Sequence, residues 1–141
     1  VTLDPQIPDS DFAPPPVPPG FSVVRNPRRS FPTFDEASKA GFVPPSADWL
    51  PAGYRPKQVD VRDNGRWISA HWGNGLTVVT LTAMKGPAPG GMPELSDGAA
   101  PQSRAMPRGG KVMVWRRGDI RFVLMAPLPD DILRRIAESV R

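Results

Sequence analysis

The sequence contains no cysteine and only one histidine, His71, among its 141 residues. The lack of cysteine excludes a disulfide framework, a thiolate metal site and a cysteine nucleophile. Without a second imidazole, a zinc site or a histidine-based proton relay also lacks its usual groups, and His71 is expected to be an ordinary strand residue. We therefore expect no enzymatic activity, no catalytic residue, no metal and no cofactor.

Long apolar runs are missing as well, since no stretch approaches the ~18 residues that a membrane-spanning helix needs. The chain begins with Val1-Thr2-Leu3-Asp4 and not with an initiator methionine. We therefore expect it to be the mature or excised part of a longer protein. The absence of cysteine also suits an exported bacterial protein that avoids accidental oxidation.

Basic residues exceed acidic ones, with 18 Lys and Arg against 14 Asp and Glu and a net charge of +4. Such an excess can serve nucleic-acid binding. The arginines are scattered, however, and acids lie between them, whereas nucleic-acid binding usually concentrates basic residues in a dense patch. An anionic protein partner or a membrane surface fits this pattern better, and we expect no nucleic acid.

Proline is abundant, and 12 of the 20 prolines lie within residues 1–51. Residues 1–33 include the run Pro14-Pro15-Pro16-Val17-Pro18-Pro19-Gly20, which is typical of an extended polyproline arm or linker. Within this arm, Phe21–Val24 could add one edge strand. The remaining residues, 34–141, are the right size for a single small domain.

Short strand-like segments separated by turn residues begin after Trp49. Strands are predicted at Tyr54–Arg62, Arg66–Trp72, Leu76–Met84, Lys111–Arg117 and Asp119–Ala126. Asp63-Asn64-Gly65 and Gly73-Asn74-Gly75 are strong hairpin signals, because Asn and Gly accept a positive φ. Residues 85–110, rich in Gly and Pro, are expected to form a mobile loop. The pattern predicts an α+β fold with an antiparallel meander of about five to six strands.

Two helices accompany these strands. A short one is predicted from Phe34 to Gly41, with Thr33 as its N-cap. A second runs from about Pro129 to the end, where Asp130 and Asp131 face the positive end of the helix dipole. Its apolar stripe must pack on one face of the sheet; the stripe consists of Ile132, Leu133, Ile136 and Val140.

Alternation along the last hairpin predicts two faces. One comprises Val112, Val114, Ile120, Phe122 and Leu124, and the other Met113, Trp115, Val123 and Met125 with Lys111, Arg117 and Arg121. Trp67 and His71 lie on the second face as well if the strand Arg66–Trp72 is in register with this hairpin. Aromatic, Met and Arg side chains are enriched at protein interfaces. We therefore predict a partner-binding site made of Trp67, Met113, Trp115, Arg117, Arg121 and Met125. The alternative is that this face is core, covered by residues 1–48 or by the C-terminal helix.

Several segments carry a resemblance to a known family. They are Trp49-Leu50-Pro51-Ala52-Gly53-Tyr54, Trp72-Gly73-Asn74-Gly75-Leu76, Gly118–Pro129 and Ile132–Val140. Together they resemble the C-terminal domain of MucB/RseB, periplasmic regulators of the sigma-E envelope stress response. The stretch from Phe34 to Tyr54 is also similar to a domain at the extracytoplasmic end of some membrane-bound anti-sigma factors. The larger lipoprotein-carrier-like domain that precedes this one in MucB/RseB is not part of the sequence.

The resemblance implies a non-enzymatic regulatory module, periplasmic or otherwise extracytoplasmic. Such a module would bind the extracytoplasmic part of an anti-sigma factor and restrain its proteolysis. Two alternatives stay open at this point. The chain could be an envelope lipid or lipoprotein carrier, or it could be the sensor domain of an anti-sigma factor itself.

Overall fold

The computed structural model describes residues 16–20, 27–87, 90, 92 and 94–141. In chain order the elements are β1 (Arg29–Phe31), α1 (Phe34–Lys39), β2 (Arg55–Arg62), β3 (Trp67–Gly73), β4 (Val78–Lys85), β5 (Gln102–Ala105), β6 (Lys111–Arg117), β7 (Ile120–Ala126) and α2 (Asp130–Glu138). Among these residues, seven strands form one sheet in the order β1-β2-β3-β4-β7-β6-β5, and every neighbouring pair is antiparallel.

The predicted α+β class, with an antiparallel sheet and a C-terminal helix on one face, is confirmed. The strand count is seven and not five to six. The additional strands are the short, largely exposed edges β1 and β5, which lie inside the predicted arm and the predicted loop 85–110. The strand predicted at Phe21–Val24 lies outside the described residues. The sheet is also not a simple meander, because β4 pairs with β7 and the chain crosses to the far edge before β5.

Both hairpin signals are confirmed. Between β2 and β3, Asp63 and Asn64 have φ angles of 49° and 51°, and Gly65 has 91°. Asn64 tolerates this left-handed region better than most residues, and Gly65 adopts it without strain. Between β3 and β4, the side-chain oxygen of Asn74 accepts hydrogen bonds from the backbone N–H groups of Leu76 and Thr77 at 3.0 and 2.8 Å.

The helices begin where the capping residues predict. The backbone N–H of Glu36 donates to Thr33 Oγ1 at 3.1 Å, so Thr33 is the N-cap of α1. Asp130 and Asp131 occupy the first turn of α2, and Leu133, Ile136 and Ala137 are buried against the sheet. After α2, Val140 forms a β-bridge with Ala47, which ties the C-terminus to the segment before β2.

Both helices pack on the same side of the sheet, which we call the packed face. One row of this face crosses the sheet through the register pairs Val59, Ala70, Leu81, Leu124 and Met113. The core contains these residues together with Trp72, Val79, Trp115 and Phe122, all of them 5% exposed or less. The opposite side, the open face, carries no helix among the described residues. None of the helices in this part of the chain is long and apolar enough to cross a membrane.

Candidate functional site

Polar and apolar side chains are mixed on the open face of the sheet. One row across it consists of Asp60, Ser69, Thr82, Val123 and Val114. Because side chains alternate along a strand, residues two positions away from this row lie on the same face. They are Gln58, Arg62, Trp67, His71, Thr80, Met84, Arg121, Met125, Val112 and Arg116.

A groove of about 390 Å³ runs along this face over strands β2, β3, β4 and β7. Met84 and Val123 are buried at its floor, whereas Trp67, Met92 and Met125 remain partly exposed. Met92 reaches it from the segment that follows β4. Methionine side chains are flexible and polarisable, so a groove lined by them can adapt to an incoming apolar side chain.

The polar end of the groove is organised around the carboxylate of Asp60. Its side chain is 7% exposed and accepts hydrogen bonds from Arg28 and Ser30, each at 2.6 Å. His71 Nε2 lies 3.0 Å from the same carboxylate, and Gln58 Nε2 lies 3.4 Å away. Asp60, on β2, is therefore linked to β1 through Ser30 and to β3 through His71, and Arg28, just before β1, supplies the opposing charge.

These contacts change the acidity of Asp60. Burial alone would raise its pKa, but the hydrogen bonds from Ser30 and Arg28, together with the charge of Arg28 and of His71 when protonated, outweigh that effect. The pKa of Asp60 therefore lies below its ordinary value. The folded protein stabilises the ionised carboxylate.

His71 links this carboxylate to a hydroxyl group. Its Nδ1 lies 3.0 Å from Thr80 Oγ1, and the neighbouring pair Ser69 and Thr82 are joined at 2.8 Å between their hydroxyl oxygens. Since a carboxylate only accepts, Nε2–H donates to Asp60, and Nδ1 of a neutral imidazole accepts from Thr80. His71 is a strand residue, as expected. It also joins the carboxylate of Asp60 to the hydroxyl of Thr80 in a hydrogen-bond network that we did not predict from the presence of a single histidine.

Replacing Asp60 by asparagine should lower the free energy of unfolding by about 1–3 kcal/mol at pH 7, because His71 and Arg28 lose an ionised acceptor. The pKa of Asp60 is lower in the folded protein than in the unfolded chain, where it is near 3.8. The ionised carboxylate therefore stabilises the fold fully above pH 3.8, and this stabilisation is lost as the pH falls through the pKa of the folded protein. The difference between the wild type and Asp60→Asn should therefore shrink as the pH is lowered from 7 to 3. Urea unfolding measures it.

The control is Glu138→Gln, which removes an exposed carboxylate at the end of α2. It should change the free energy of unfolding by about 0.5 kcal/mol or less. A deficit of Asp60→Asn that stays constant with pH would contradict the stabilisation of the ionised form.

Three of the six predicted partner-binding residues lie on the open face. Trp67 and Met125 line the groove, and Arg121 lies beside it on β7. Arg121 is 9% exposed, and its terminal nitrogen donates to the sulfur of Met92 at 3.7 Å. The structure therefore brings these three side chains to one surface.

The other three lie on the packed face. Met113 pairs with Leu124 and Trp115 with Phe122, so both side chains are in the core, at 0% and 3% exposure. Arg117 donates to the backbone oxygens of Val140 and Ala137 at 2.6 and 3.3 Å, which closes the end of α2. The prediction that the six residues share one face is wrong, because β6 and β7 pair one residue out of the assumed register.

Sequence reasoning did not identify Asp60, Thr80 and Met84 as members of this site. The signal was present in part, since the Asp63-Asn64-Gly65 turn pairs Arg62 with Trp67 and so places Asp60 opposite Ser69. Alternation of side chains along the two strands that flank this turn places the Asp60 carboxylate on the same face as Trp67 and His71. Met92 follows β4 in an irregular segment and has no such signal.

No protein-family model matches the sequence, and no curated protein matches it significantly. The resemblance to MucB/RseB therefore continues to depend on the segments quoted above.

Proposed function

We propose that this chain is a non-enzymatic binding module and that a protein partner docks on its open face. The observation that carries the proposal is the groove at Trp67, Met92 and Met125, which lies on the side of the sheet opposite both helices. Partly exposed Trp and Met side chains at a concave surface are typical of interface cores. An apolar side chain of the partner would occupy this groove.

The charges around the groove favour an acidic partner. Arg62 lines the groove, is exposed and has no ion-pair partner among the described residues. The whole chain carries a net charge of +4. Arginine at the rim of an interface pairs well with carboxylates and increases the association rate.

The resemblance to MucB/RseB suggests which partner this is. We propose the extracytoplasmic part of an anti-sigma factor, bound in the periplasm as part of envelope-stress signalling. No cofactor or metal is needed for this role. The backbone of β4 is paired with β3 and β7 around Thr80. Its N–H groups are therefore not free to stabilise an oxyanion, which argues against acyl transfer at Thr80.

The test is calorimetric titration of the whole chain with the extracytoplasmic segment of the anti-sigma factor encoded beside its gene. We expect saturable binding that weakens as salt is raised, since charged groups at the rim contribute. A titration without saturable binding would contradict this choice of partner. A neighbouring gene set without any anti-sigma or sigma factor would remove its main support.

A second groove favours a second candidate, a carrier of an envelope lipid. This groove, of about 420 Å³, lies at the end of the packed face between residues 42–45 and strands β3, β4 and β7. Ile120 and Phe122 contribute to its apolar floor, and Arg66, Lys85 and Arg141 lie at its rim. One acyl chain with an anionic head group fits this arrangement. Native mass spectrometry of the purified protein should show bound lipid if the chain is a carrier, and a mass of the protein alone counts against it.

A further inference from the structure

A third concavity lies on the open face, next to the turn between β6 and β7. It measures about 410 Å³ and is bounded by Gly86, Pro87, Glu94 and Leu95 on one side and by the two strands on the other. Arg116 and Arg121 contribute to its wall. We call it the arginine pocket.

Arg121 is buried in this pocket with little compensation for its charge. Its side chain is among the few buried charged ones, and its Nε–H has no acceptor among the described residues. The contact to the sulfur of Met92 is weak, because a thioether is a poor acceptor. A guanidinium group cannot lose its proton, so burial leaves an uncompensated charge that is costly without an anion.

Arg116 adds a second positive charge directly opposite. The two arginines are paired across β6 and β7 and point to the same face. Like charges in that position destabilise a sheet. Arg116 donates to the backbone oxygens of Gly118 at 2.6 Å and Leu95 at 3.5 Å, which fix the orientation of its guanidinium group without neutralising it. The pocket thus has two oriented cations and a buried N–H that needs an acceptor.

We propose that the arginine pocket binds a carboxylate group, supplied by an acidic segment of a protein partner. A planar carboxylate can accept two parallel hydrogen bonds from one guanidinium group. Glu94 and Asp119 also contribute to the wall and lie beyond ion-pair distance of both arginines. Their negative charges disfavour a doubly charged phosphate relative to a carboxylate with a single charge. The inference rests on the proposed function in one respect only, namely that the carboxylate belongs to a protein partner.

The experiment follows the arginine Nε–H resonances of the whole, ¹⁵N-labelled chain during a titration with sodium acetate against sodium chloride at equal ionic strength. The Arg121 resonance should shift saturably with acetate and not with chloride. Arg116→Gln should weaken acetate binding about tenfold, the expected effect of losing one charge-assisted hydrogen bond. The matched control is Arg104→Gln, an exposed arginine on the edge strand β5, which should leave the affinity for acetate unchanged.

An Arg121 resonance that responds equally to acetate and chloride would overturn the proposal. Tighter binding of inorganic phosphate than of acetate would overturn the preference for a carboxylate. The chain also carries acids of its own in Asp4, Asp9 and Asp11. If the resonance responds to acetate only after all three are changed to asparagine, the carboxylate is the chain's own and a partner as its source is contradicted.

The outcome for the pocket is separate from the outcome for the proposed function. Acetate binding without binding of the anti-sigma segment would contradict that partner and leave the pocket in place. Binding of the segment without any acetate response at Arg121 would contradict the pocket and leave the proposed function in place.

Discussion

Replacing Trp115 by alanine should lower the free energy of unfolding by about 3–5 kcal/mol. The side chain is 3% exposed and stacks on Phe122 with ring centroids 5.3 Å apart. The surrounding strands are held by their hydrogen-bond ladders and cannot collapse into the space that the indole ring leaves. Since the total stability of a small domain is about 5–15 kcal/mol, this one change should remove a large part of it.

Urea unfolding measures this loss, and Trp67→Ala is the matched control. Trp67 is partly exposed on the open face, so its removal should cost clearly less, about 1 kcal/mol. Trp115→Phe is a second useful variant, because the indole Nε1–H is buried without an acceptor among the described residues. It should retain most of the stability. Equal losses for Trp115→Ala and Trp67→Ala would contradict the assignment of the two residues to opposite faces.

The same Trp67→Ala variant should weaken partner binding by about 2 kcal/mol, or roughly 30-fold in Kd. Trp67 contributes a large, partly exposed aromatic surface to the groove, which Met84 and Met125 also line, and it pairs with Met84 across β3 and β4. Removing it eliminates the apolar contact at the centre of the proposed interface. Calorimetric titration with the anti-sigma segment measures the change, and the melting temperature should fall by only a few degrees, in line with the small loss of stability.

Trp49→Ala controls for the loss of an indole ring as such. Trp49 lies on the other side of the molecule, where the guanidinium group of Arg135 stacks over its ring at 4.0 Å. This variant should leave partner affinity unchanged. If Trp67→Ala binds as tightly as the wild type, the open face is not where the partner docks.

Local structure was predictable wherever one residue type has a specific conformational role. Thr33 as a helix cap, the left-handed Asn64 and the apolar stripe of α2 all act over a few residues, and all were confirmed. By contrast, β1 and β5 are three and four residues long, mostly exposed and without β-branched residues. Their strand structure comes from pairing with β2 and β6 and not from their own sequence.

The division of residues between the two faces failed at a single turn. The prediction treated Gly118 alone as the turn between the last two strands. In the structure Gly118 and Asp119 form it together, so Arg117 pairs with Ile120. Odd-numbered residues of β6 therefore share a face with even-numbered residues of β7, which puts Trp115 in the core. A shift of one residue moves a whole strand's side chains to the opposite face.

The hydrogen-bond network around Asp60 could not be predicted from local sequence patterns, because its members are distant from one another in the sequence. Asp60 is separated from Ser30 and Arg28 by 30 and 32 residues. These contacts exist only because β1 pairs with β2 in the observed register. The groove depends in the same way on the pairing of β4 with β7, which places Met125 beside Thr80 and Arg121 beside Met84.

The central claim is that the open face is the binding face. The most direct test is to follow the NMR resonances of the whole chain during a titration with the anti-sigma segment. Shifts should concentrate on the Trp67 indole N–H, on His71 and on the methyl groups of Met92 and Met125, with little change along α2. Shifts confined to α2 and to the second groove around Phe42 and Ile120 would contradict the claim.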